Sequence, residues 1–240
     1  MSEKVNVQGY YEYMKTPWGK LFYELAWHNI ECQGKRILDF GSGFGYTANH
    51  FAKNNEVIAV EPNEEMIESR FSENDYQQIN GDLNVLKQMP GESFDMIICH
   101  NVLEYIDERE EVLLEFSRLL NRDGFISIIK HNKAGKIMQK AVFEYSVDEA
   151  MKLLDNENVD SANFGTINEY DDYELEEYSH QRLKIENIYG LRMFFGLQRN
   201  EFKSSDEWLE NMYKLECKAE NINEFRNIAF FHHIILRQKL

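Results

Sequence analysis

A doubly wound α/β fold is what this sequence predicts, and three observations carry the prediction. Short apolar runs alternate with helical patterns, the rhythm a parallel sheet needs because its neighbouring strands are joined by crossovers. Two of these runs, VIAV at 57–60 and FDMIICH at 94–100, are apolar through their centres, which fits strands covered by helices on both faces. The first run, Ile37 and Leu38, closes on Asp39 and opens into Gly41, Gly43 and Gly45 before a helical stretch over 47–53. Glycine at those positions lets the backbone turn sharply and come close to a ligand, with no Cβ in the way.

Taken in order, residues 1–34 carry Tyr10, Tyr11, Tyr13 and Trp18 and predict a helical cap ahead of the first strand. The second strand ends in Glu61, after which Pro62 and Asn63 break the backbone and Asn63 is placed to cap a helix over 64–71. A short third strand over 76–80 leads to Gly81 and Asp82. The fourth strand ends at His100 and Asn101, on the carboxyl edge where open α/β sheets bind ligands. Residues 107–120 read as a helix: Val112, Leu113, Phe116, Leu119 and Leu120 share a face, and Asp107 with Glu110 has capping-box spacing. Asp123-Gly124 predicts a turn and 125–129 a fifth strand. Residues 134–182 then break the rhythm, helical at first and afterwards acidic and tyrosine-rich. The sheet resumes at 183–189 and closes at 228–237, with a helix over 205–220 between. The expectation is one domain over 1–240, a seven-stranded sheet with a helical and loop insertion between strands 5 and 6, lying over the active-site face.

Composition narrows the function. A chain of 240 residues, 43% hydrophobic, can bury a substantial core. It has no run approaching a membrane span, and its first residues lack the apolar segment of a signal peptide, so a cytoplasmic protein without a membrane partner is expected. Cys32, Cys99 and Cys217 are odd in number and widely spaced, which fits reduced thiols and offers no zinc pattern. His232 and His233 point to opposite faces of a strand and cannot easily share an ion, so no metal is expected. The formal net charge of -16 opposes phosphate binding, which draws on lysine and arginine. From Glu144 to Glu177 there are twelve acids against one base, Lys152. Such a run is either a solvated insertion or a lid that selects a neutral or cationic substrate.

The glycine spacing separates two cofactors. A dinucleotide fingerprint, Gly-x-Gly-x-x-Gly, would put glycine or alanine at position 46, where this chain has Tyr46. Glu61 lies about 20 residues beyond the loop, the place of a carboxylate that accepts both ribose hydroxyls in a nucleotide-binding unit. Asp-x-Gly-x-Gly-x-Gly resembles instead the loop of S-adenosylmethionine (SAM)-dependent methyltransferases of the Rossmann-like class. LDFGSGFG (38–45), CHNVLEYI (99–106), Asn132 in KHNKAG, GLRMF (190–194), and Trp208 followed by an aromatic strand with His233 extend the likeness. Within class I of these enzymes the chain resembles the SmtA-type bacterial subgroup, which includes tRNA 5-carboxymethoxyuridine methyltransferases.

That resemblance implies SAM as cofactor. It places Gly41 and Ser42, with Gly43 and Gly45 of the same loop, at the methionine part and Asp39 at its amino group. Glu61 and the adjoining Pro62 fall at the ribose, Asp82 and Leu83 at the adenine, and His100 at the sulfonium side. Three departures weaken the tRNA reading: the insertion is acidic where the tRNA-acting relatives are lysine-rich, and Phe22 and Phe230 stand where they carry basic residues.

Methyl transfer from a sulfonium asks mainly for alignment and exclusion of water. A carboxylate acceptor needs no general base. A hydroxyl or amine usually does, and His100, His131 or a tyrosine could serve. Arg192 is the residue expected to orient an anionic acceptor through its fork of donors. Three functions fit these residues: methylation of a small molecule, methylation of the tRNA wobble-uridine carboxyl, and SAM binding without catalysis. Retention of Asp39, the three glycines and Glu61 argues against the last. The oligomeric state is not encoded legibly.

Overall fold

A computed structural model describes residues 6–157 and 168–239. The chain forms two compact bodies: Met1–Asn29, Lys130–Glu169 and Ile188–His233 make the first, and Ile30–Ile129, Tyr170–Asn187 and Ile234–Leu240 the second.

The strands are β1 (Arg36–Phe40), β2 (Glu56–Glu61), β3 (Gln77–Asn80), β4 (Phe94–His100), β5 (Leu120–His131), β6 (Leu183–Leu191) and β7 (Phe231–Gln238). They form one seven-stranded sheet in the order β3-β2-β1-β4-β5-β7-β6, as a Rossmann-like doubly wound fold requires. The chain passes between the two bodies within β5, β6 and β7. Five strands are parallel: β1 pairs β2 and β4, β2 pairs β3, and β4 pairs β5. β7 runs the other way, because Gln238 donates to Leu120 O while Arg237 donates to Asp123 O, so falling numbers in β7 meet rising numbers in β5. Lys239 N donates to Arg182 O and Arg237 bonds Glu186, so β6 is antiparallel to β7 as well.

In the second body the apolar runs become the core. Ile37, Leu38, Ile97, Ile98 and Ile128 are all fully buried, at about 1.5–3 kcal/mol for each side chain removed from water. The helix Arg109–Leu119 turns Val112, Leu113, Phe116 and Leu119 inward. Its expected capping box is absent: Glu108 holds the N-cap position without a side-chain bond. The Glu110 carboxylate is taken by His180, 2.6 Å away. Nor is Asp123-Gly124 a turn. β5 continues through it with a register shift opposite Phe94 and Met96, and a Cβ on Gly124 would lie 2.7 Å from Asp95 O. Asn63 does cap its helix, accepting from Met66 N, but that helix stops at Glu68, short of the expected 71.

In the first body the N-terminal segment forms two helices, Val7–Lys15 and Pro17–His28. Thr16 sets the corner: its hydroxyl donates to Tyr13 O and accepts from Gly19 N, and Pro17 supplies the first helical φ. The second of these helices packs on Asp206–Ala219, whose Ser205 cap accepts from Trp208 N. Asn132 holds the chain ahead of β7 by donating to Asn227 O and Ala229 O. The acidic segment divides: its described residues up to Glu157, with Glu169, belong to the first body and those from Tyr170 to the second. Several of its acids are paired in the first body: Lys136 meets Glu169, and Lys140 meets both Glu144 and Glu149. Asp160 of the acidic run and the first five residues of the cap lie outside the described residues. No described helix is long and apolar enough to cross a membrane.

Candidate functional site

Strand order reverses between β1 and β4, so the loops after these strands flank the crevice in which doubly wound sheets place ligands. The parallel register carries the expected residues to that edge: Phe40 faces Val60, Glu61 faces Asn80, and His100 faces Ile129. Gly41, Gly43 and Gly45 all have left-handed φ, at 74°, 54° and 66°. Gly41 N and Ser42 N donate back to Val60 O, and Gly45 N closes the loop on Ser42 O. A Cβ at Gly45 would sit 2.1 Å from the Tyr76 hydroxyl, so this corner admits glycine on steric and conformational grounds together. Tyr46 occupies the place of the third glycine of the dinucleotide fingerprint and packs on Phe71, ring centroids 4.9 Å apart.

Glu61 ties strand to loop. Its Oε2 accepts from Gly43 N at 2.8 Å and its Oε1 from Asn63 N at 2.9 Å, with the residue 7% exposed. Each oxygen keeps a lone pair beyond these bonds. Asp39, 3% exposed, lies near enough for mutual repulsion. Burial first, then the Glu61 charge, pushes its carboxyl up to about 7, while a bond from the Ala48 backbone pulls the other way. Burial also raises the Glu61 carboxyl. Among the described residues, Asp39 Oδ2 and the hydroxyl of Ser42 are buried without a hydrogen-bond partner, as is Asn101 Oδ1 just past β4. A buried acid pair with an orphaned oxygen beside a glycine loop is chemically suited to a cationic amine on a nucleoside-bearing cofactor.

The remaining expected residues are spread along the same edge. Asp82 is exposed and caps the helix Leu83–Leu86, its Oδ1 accepting from Asn84 N and Nδ2, with Leu83 half-buried behind it. Pro62 is exposed. His100 is half-buried, its Nε2 2.7 Å from the hydroxyl of fully buried Ser127.

Arg192 belongs to the first body and is built differently. It has φ 62°, unusual for a residue with a side chain. Its guanidinium lies over the Phe230 ring at 4.6 Å and near that of Phe195 at 5.7 Å, and its Nε is buried with no hydrogen-bond partner among the described residues. The turn is held by Glu216, 1% exposed, whose carboxylate accepts from the backbone of Met193, Phe194 and Phe195. A Cβ on Gly196 would press on Arg192 Nε at 3.0 Å. Sequence reasoning missed Glu216 and Lys203, both buried charged groups. Helical periodicity could have flagged Glu216, which falls on the same face as Met212 and Ala219.

His233 is fully buried, and burial pushes its imidazole down to about 3. His232 is half-buried and bonds Arg226 O. His28, Cys217 and Glu220, far apart in sequence, bring ligand-type atoms within 4.8 Å of one another. Protein groups already engage two of them, Tyr213 the histidine and Asn29 the glutamate.

The glycine loop and the acid pair of Asp39 and Glu61 make an arrangement suited to a nucleotide-bearing cofactor. Residues 38–128, the stretch that holds the loop, Glu61 and His100, match the family described as "Methyltransferase domain". The chain is 32% identical over 111 residues to the uncharacterized methyltransferase YcgJ of Bacillus subtilis, covering 42% of this chain and 43% of that protein. It is 27% identical over 111 residues to a ubiquinone biosynthesis O-methyltransferase of Coxiella burnetii, covering 43% of this chain and 47% of that one. The matched stretch thus spans less than half the length of these relatives. A SAM-dependent methyltransferase of Archaeoglobus fulgidus shares the fold, with a TM-score of 0.60 at 17% identity over 95% of this chain and 96% of that one.

Proposed function

We propose that this chain is an S-adenosylmethionine-dependent methyltransferase of the cytoplasm that acts on a small-molecule acceptor, a carboxylate in the first instance. The observation that carries the reading is the buried acid pair, Asp39 with its unpartnered oxygen and Glu61 bound to the glycine loop. Asp39 would hold the amino group of SAM, Gly41 and Ser42 its methionine part, Glu61 both ribose hydroxyls, and Asp82 and Leu83 the adenine. The cofactor supplies a sulfonium-activated methyl group. The protein's task is then to align the acceptor and exclude water, and His100 would accept a proton where the acceptor is a hydroxyl.

The Coxiella relative, named for an O-methylation in ubiquinone biosynthesis, supports an oxygen acceptor on a small molecule. The tRNA carboxyl reading has less behind it, because the net charge of -16 opposes phosphate contact. Calorimetry with SAM tests the core of the proposal: micromolar binding is expected, weakened at least a hundredfold in Glu61→Ala. No binding, or equal binding by the variant, sinks it. Tritiated-methyl transfer into fractionated extract then separates small metabolites from tRNA.

A further inference from the structure

The Arg192 turn gathers more charge than its own residue. Lys203 is 2% exposed, and among the described residues its ammonium has one hydrogen-bond partner, the neutral Asn200 Oδ1 at 2.9 Å. That ammonium lies 5.2 Å from the Phe143 ring and 5.6 Å from Trp18, and the turn Phe195–Leu197 beside Arg192 packs on the segment Gln139–Phe143. Burial and the Arg192 charge together push the Lys203 amine down to about 8, so the two cations feel each other. Tyr13 is within reach of the same guanidinium field, and its phenol, raised by burial, stays protonated as a donor. Glu216 also feels Arg192, yet its hydrogen bonds go to the backbone of residues 193–195.

Among the described residues, the buried Lys203 and the half-buried Arg192 beside the buried Glu216 leave a surplus of one positive charge against aromatic walls. Unpaired charge in such surroundings is costly, and proteins retain it where a ligand completes the pairing. Surplus charge of one selects a monoanion over a dianion. The fork of Arg192, the point charge of Lys203 and a phenol donor suit the two oxygens of a carboxylate. Phe230, Phe195, Phe143 and Trp18 offer apolar flat surface to the rest of the molecule.

We propose that Arg192, Lys203 and Tyr13 form a subsite for the carboxylate of a small monoanion with a planar apolar body. The proposal deepens the methyl-transfer reading by naming its acceptor class, but anion binding is tested without the cofactor. Calorimetry on the full chain at pH 7 uses three probes, benzoate, phenylacetate and 4-hydroxybenzoate, with benzamide and inorganic phosphate as counter-tests. At least one carboxylate should bind, with benzamide and phosphate at least tenfold weaker.

Lys203→Met should lose tenfold or more, and Arg192→Lys, which keeps the charge but not the fork, should lose several-fold. Wild-type affinity should also fall as pH rises above about 8, where Lys203 loses its proton, and Lys203→Met should show no such fall. Among the described residues, Arg192 is the charged group whose field acts on this amine. Equal binding of benzoate and benzamide, unchanged affinity in Lys203→Met, or no binding of all three carboxylates overturns the subsite. A protein that binds benzoate but not SAM would keep the subsite and overturn methyl transfer, and the converse result would do the opposite.

Discussion

The glycine loop of the second body and the Arg192 turn of the first both pair left-handed backbone with buried charged groups, yet they are made in opposite ways. The loop is local: one stretch from Asp39 to Gly45 carries its left-handed glycines, and Glu61 secures it from the adjacent strand. Its surplus is negative, two buried carboxyls with raised proton affinity. Around Arg192 the parts come from the N-terminal helices, the segment after β5, the turn after β6 and the helix Asp206–Ala219. There the surplus is positive. A fold can thus store unpaired charge of either sign, and each sign points to the charge of what binds.

The comparison is broken most severely at Gly45. Gly45→Ala adds a Cβ at φ 66° against the Tyr76 hydroxyl, and a loss of about 2–4 kcal/mol is expected in chemical denaturation, together with loss of SAM binding. An unchanged midpoint would show that the loop tolerates a side chain.

Asp39→Asn comes next and splits stability from function. The Asp39 carboxyl is raised in the fold, so its contribution to stability is present below about pH 4 and is lost as pH rises to about 7. At pH 8 the variant should therefore be more stable than the parent by about 1–3 kcal/mol, while binding SAM at least tenfold more weakly. A variant that is both less stable and equal in SAM binding would deny the acid its role.

Lys203→Met is the mirror experiment with the smaller effect. A lysine lowered to about 8 binds fewer protons folded than unfolded, so wild-type stability should rise between pH 8 and about 10. The variant should flatten that slope and gain about 1 kcal/mol at pH 7. Thermal melts across that range would show it; parallel pH profiles for the two proteins would remove the buried charge from the account.

Legibility differed between the two regions for a physical reason. A glycine with left-handed φ, a buried apolar strand and an acid at the strand end each leave a signature within a few residues, and so β1, β2, β4 and the loop were readable. Asn63 was readable as a cap because capping is local too. Capping at Asp107 misled because Glu110 had a remote partner, His180, that no spacing rule contains. Asp123-Gly124 misled because a glycine can mark a close approach within a strand as well as a turn. Arg192 was noticed within GLRMF; Lys203 and Glu216 drew no notice, because only packing shows that they are buried.

By itself the sequence determined the sheet's rhythm and the glycine loop with its left-handed turns, because these follow from backbone sterics and short-range burial. Only the tertiary structure decided which distant charges lose their water together. The aromatic surfaces against Lys203 and Arg192 come from segments more than a hundred residues apart, from Trp18 to Phe230. No local pattern records that sum.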